Sequence, residues 1–137
     1  MSPTQFRYTL AAYIFLGIFG GTFDLLFPSA IPEALAHAQE INDANLTNSS
    51  LIFLAIFGLA LVASLIASTV GLFLFRAWAP RLAVITTVLS LFIVPILGVN
   101  VASGWSWLLT ELATTLWGVI LSLVYFSPLK ENFVATR

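Results

Sequence analysis

Four long apolar stretches constrain this chain more than anything else in it: residues 8–27, 51–75, 82–101 and 105–126, with lengths of 20, 25, 20 and 22. About 20 residues of α-helix, rising about 1.5 Å each, cross a hydrocarbon core near 30 Å thick. A segment in lipid must satisfy its own backbone groups, so such stretches fold as helices; the alternating pattern of a barrel strand is missing. Only 8% of the 137 residues are charged and 60% are hydrophobic. A soluble domain carries roughly 25% charged residues. The expected fold is therefore an all-α membrane protein, one domain built as a four-transmembrane-helix antiparallel bundle, with a short extracytoplasmic helix within residues 28–50. Connections as short as residues 76–81 and 102–104 make successive helices antiparallel neighbours.

Orientation follows from the basic residues. Arg7, Arg76, Arg81, Lys130 and Arg137 all fall in the N-terminus, the second connection or the C-terminus, and the other two connections contain no Lys or Arg. By the positive-inside rule both termini and the 76–81 turn belong in the cytoplasm, and residues 28–50 belong outside. Tyr8, Trp78 and Tyr125 then sit at one interface and Trp105 and Trp107 at the other. A secretory signal is the competing reading of the first stretch, because small residues at 34, 36 and 38 offer a cleavage pattern; the apolar run is long for that purpose. A prokaryotic inner membrane is the expected home.

Helices in lipid associate through close backbone approach and polar contacts, so small residues mark the expected seams. These are Gly17 and Gly21 in the first helix, Ser64, Ser68 and Gly71 in the second, and Thr110, Thr114, Gly118 and Ser122 in the fourth. Pro95 is expected to kink the third. At the 76–81 turn, Arg76, Trp78 and Arg81 suit anchoring to lipid headgroups.

Two acids lie in or near the hydrophobic zone. Glu111 is expected about 9 Å inside the fourth helix, turned inward on the face of Thr114. Asp24 closes the first helix. No Lys or Arg lies at their level, so each acid is expected either to donate a hydrogen bond to a group such as Asn100, or to bind a proton or cation. Residues 32–42 read as a helix with Pro at its first position, which would align Glu33, His37 and Glu40 at one-turn spacing. Such a set is a weak divalent-metal pattern, since Glu and His at this spacing usually mark only a solvated helix face. Asn45 with Thr47 and Asn48 with Ser50 match the glycosylation pattern and are read as polar linker.

Several classes are excluded or unsupported. With no cysteine and one histidine, disulfides, thiolate metal sites and a bis-histidine haem within one chain cannot form. A net charge of −1 with five scattered basic residues argues against a nucleic-acid partner. No catalytic motif or cofactor fingerprint occurs, so the chain is expected not to be an enzyme. A non-catalytic accessory or interaction subunit remains, partnered by lipid and by another membrane protein or a second copy. The alternative is an oligomeric proton- or cation-linked transporter using Glu111 and Asp24.

Overall fold

A computed structural model describes residues 2–31, 37, 48–97 and 101–134. It is helical, with no strand among the described residues. The long helices are α1 (Pro3–Leu26), α2 (Asn48–Phe73), α3 (Ala79–Leu97) and α4 (Gly104–Phe126), and the short α5 (Lys130–Val134) follows. Three segments are long and apolar enough to cross a membrane: Pro3–Leu26, Ile52–Phe73 and Gly104–Phe126. In α3 the described apolar stretch, Ala79–Phe92, is shorter. The proposed helix over 32–42 and the Asn45 pattern lie outside the described residues, apart from His37.

The helix ends differ from the apolar boundaries for local reasons. α1 starts five residues before the apolar run because Ser2 and Gln5 form a capping box: the Gln5 N–H donates to Ser2 Oγ (3.3 Å), and the Ser2 N–H donates to Gln5 Oε1 (2.9 Å). Pro3 occupies the first helical position, where its missing N–H costs nothing. α2 begins at Asn48, so Asn48, Ser49 and Ser50 form its first turn instead of a linker. It ends before the apolar run does because Phe75 adopts φ 53°. The Arg76 N–H then donates to the Gly71 carbonyl (2.8 Å) and the Phe75 N–H to the Leu72 carbonyl (3.1 Å), the bond pattern of a Schellman cap. A left-handed conformation costs a non-glycine residue roughly 1–2 kcal/mol. Packing offsets that cost: the Phe75 ring lies 5.7 Å from Phe6 and 5.2 Å from Phe133, centroid to centroid. Arg7 completes this end. Its Nε donates to the Phe73 carbonyl (3.3 Å), where a cation complements the negative end of the α2 dipole.

Packing divides the long helices into two closely packed couples, α1 with α4 and α2 with α3, which touch each other more sparingly. The α1–α4 seam is closest at Gly20, where an added Cβ would lie 3.0 Å from Thr110 Oγ1 and 3.1 Å from Leu109 Cβ. At Gly71 a Cβ would meet Ala79 Cβ at 2.7 Å and the Trp78 ring at 2.8 Å, so the 74–78 turn folds back directly onto α2. Buried Phe6, Leu10, Leu72, Ala79, Ala83, Trp117, Ile120 and Val124 form the core, and Leu129 and Phe133 tuck α5 beneath it. This core gathers toward the end that carries Arg7, Arg76, Arg81 and Lys130.

Gly20→Ala is expected to lower the thermal midpoint in detergent, at an overpacking cost of about 1–3 kcal/mol. Gly21→Ala puts its Cβ in open space and should hold or raise the midpoint, by up to ~1 kcal/mol of helix propensity. Circular-dichroism melts of both variants check the pair, and equal losses would locate the seam elsewhere.

Candidate functional site

Three groups of polar side chains interrupt the apolar helices, and the structure treats each differently. The first ties α1 to the start of α4. Ser103 is the N-cap of α4, its Oγ accepting from the Ser106 N–H (3.2 Å), and its own N–H donates to Asp24 Oδ2 (3.0 Å). One turn further, Ser106 Oγ donates to the Gly20 carbonyl (2.8 Å). An acid that no arginine or lysine faces among the described residues is thus placed at the positive end of a helix dipole, which favours a carboxylate. The other oxygen, Oδ1, is buried without a hydrogen-bond partner among the described residues. Gly20 makes the arrangement possible, because without a side chain its carbonyl comes within reach of the α4 hydroxyl.

The second group is a cleft of about 370 Å³ between the two couples, reached by all four long helices. Tyr13 stacks on Trp117 in its wall, with centroids 4.7 Å apart and 26° between planes. Trp117 Nε1 donates to Thr87 Oγ1 (2.8 Å), and that hydroxyl donates to the Ala83 carbonyl (2.8 Å). Ser90, Thr110 and Thr114 also line the cleft, each donating to a carbonyl of its own helix. Thr86, 4% exposed, has an Oγ1 with no partner among the described residues. Sequence reasoning passed over Tyr13, Thr87 and Trp117 as site residues. The available signal was Trp117 itself, an indole N–H midway along an apolar helix, which has to find an acceptor.

The third group is Glu111. Within this chain it does not turn inward. The buried residues of α4 (Ser106, Ala113, Trp117, Ile120 and Val124) define one face, and at about 100° per residue Glu111, Thr115, Gly118 and Ser122 fall on the opposite one. All four are exposed. Beside them runs a shallow groove between Thr115 and Ser127. The row of small residues on α4 is really two rows: Thr110 and Thr114 face the cleft, and Thr115, Gly118 and Ser122 accompany Glu111 outward. Asp24 and Glu111 therefore lie on different faces of α4 and share no site.

The remaining expected residues are placed as follows. At Gly17, Gly21 and Gly118 an added Cβ meets nothing within 4 Å; Gly17 borders the cleft. Ser68 is fully buried and donates to the Leu65 carbonyl (2.9 Å), and Ser64 is half-buried. Arg76, Trp78 and Arg81 are exposed at the basic end. Asn100, Glu33 and Glu40 lie outside the described residues, and among the described residues no three metal-ligating side chains cluster. Comparisons with protein-family models, curated proteins and solved structures give no match.

Ser106→Ala is expected to cost about 1 kcal/mol through its lost hydrogen bond. Asp24→Ala strands the Ser103 N–H at a helix start and should cost about 1–2 kcal/mol, while Asp24→Asn keeps an acceptor and should cost less. Denaturation midpoints in detergent give the order, and an Asn variant as impaired as the Ala variant would show that the charge, not the acceptor, holds the two helices.

Proposed function

We propose that this chain is an integral membrane protein of four crossings, with both termini and the 76–81 turn in the cytoplasm of a prokaryotic cell. In this reading it is a non-catalytic interaction subunit that receives a partner helix on α4. One observation carries it: the Glu111, Thr115, Gly118 and Ser122 stripe is exposed on a helix apolar enough to span a membrane. Exposed apolar side chains need no explanation in lipid, because acyl chains cover them. An exposed carboxyl does, since polar groups at membrane depth face protein or water. The small residues beside it let another backbone approach closely, and the carboxyl then has groups to bond with.

Support for the transport alternative is weaker. A pathway needs polar groups at successive depths along one route, whereas Asp24 is engaged in capping α4 and Glu111 lies on the far side of that helix.

Gly118→Leu tests the docking face cleanly, because open space surrounds that position within the chain. The variant should retain its fold and lose association with itself or its partner in mild-detergent pull-down and cross-linking, with Glu111→Leu weaker in the same direction. Association unchanged in both variants would rule out this face. Since the chain has no cysteine, single variants report topology: an impermeant maleimide applied outside should modify Glu40→Cys and spare Trp78→Cys. The reverse pattern would invert the orientation.

A further inference from the structure

The cleft does not stop at mid-span. Tyr13, Gly17, Val62 and Leu65 also border a second cavity of about 480 Å³ between α1 and α2, and Ile14, Thr69 and Val70 of that cavity border a third of about 180 Å³ that reaches Phe73 and Leu74. Together they form one furrow along the side where α1 and α2 touch sparingly. Along α2 it extends from Leu61 to Phe73, roughly 18 Å at the helical rise, close to the ~15 Å depth of one leaflet. Its walls are apolar between Leu65 and Phe73. The Thr69 hydroxyl there donates to the Leu65 carbonyl (2.7 Å) and asks nothing of an occupant.

The furrow ends at Phe73 and Leu74, at the basic end and beside Arg7. That guanidinium is held 5.3 Å above the Phe73 ring and 5.4 Å above the Phe75 ring, with Nε on the Phe73 carbonyl. Arg76, whose N–H closes the α2 cap three residues beyond Phe73, is exposed at the same end. The described charges of this end are Arg7, Arg76, Arg81 and Lys130 against Glu131 alone, a surplus that matches an anion. We propose that the α1–α2 furrow binds one acyl chain of an anionic phospholipid, whose phosphate is held by Arg7 and Arg76. Size, apolar lining and the basic rim each select for one feature of that molecule. The inference rests on the membrane reading above but not on the α4 face, which lies on another helix surface.

The test is native mass spectrometry of the full chain in detergent, titrated with dioleoyl phosphatidylglycerol or dioleoyl phosphatidylcholine. The native protein is expected to retain one phosphatidylglycerol in preference to phosphatidylcholine and to gain thermal stability from it. Arg76→Gln should weaken retention about fivefold, in line with one surface arginine, and Arg7→Gln by at least as much. Because Arg7 also bonds the α2 terminus, Arg76→Gln alone decides the phosphate contact if Arg7→Gln fails to fold. Gly17→Leu, which projects into the furrow from a position with no neighbour within 4 Å, should abolish retention of the single lipid. Gly118→Leu should leave it unchanged, which separates this site from the docking face. Equal retention of both lipids, or retention unaffected by Gly17→Leu, overturns the proposal in favour of ordinary annular lipid; loss in Gly17→Leu with Arg76→Gln unaffected overturns the phosphate contact.

Discussion

A backbone carbonyl in a membrane helix already has its helical partner, so a second helix can bond to it only by coming very close. The meeting of α1 and α4 at Gly20 meets that requirement, and much of the molecule follows from it. With no side chain at Gly20, the Ser106 hydroxyl reaches the α1 carbonyl, and one turn away Asp24 reaches the Ser103 N–H. These bonds fix both the separation and the rotation of the two helices. The rotation turns Tyr13 and Trp117 toward the cleft and sends Glu111 to the opposite side. A carboxyl that another rotation would have buried becomes the conspicuous feature of the surface.

The two ends of the molecule are held differently. One is polar: the Ser103 cap, the Asp24 carboxyl and the Ser106 hydroxyl at the entrance to α4. The other is aromatic and basic, with Phe6, Phe75 and Phe133 in mutual contact and Arg7 over two rings. Phe75 shows how the second end is built. It accepts an unfavourable backbone angle because its ring is gripped by α1 and α5, and that angle makes the sharp turn that brings Ala79 and Trp78 against Gly71.

Helix existence and the clustering of arginines at one end were legible in the sequence, because both depend on run length and charge position alone. The seams were not. Gly17, Gly20 and Gly21 crowd one part of α1, and spacing favours the four-residue pair, yet Gly20 is the close contact; the choice depends on what α4 presents, which no local pattern encodes. On α4 the two rows of small residues overlap in sequence, so the side to which Glu111 belongs is decided only by where Trp117 and Ile120 are buried. The Ser2–Gln5 capping box was in plain view and moved the start of α1, but a search for apolar runs looks past it. The short α5 lacked the length to register as an apolar run, and its anchor is Phe133 packed on Phe6, residues far apart in the chain.

The pairing of α1 with α4 also has a consequence for how the protein is made. Chains emerge N-terminus first, so α1 is made well before the α4 it pairs with. The bonds that join them span 79 and 86 positions. α2 and α3, linked by a tight turn, can settle against each other as soon as they emerge. Until α4 is made, the notch at Gly20 and the carboxyl of Asp24 stay without the Ser106 hydroxyl and the Ser103 N–H that meet them.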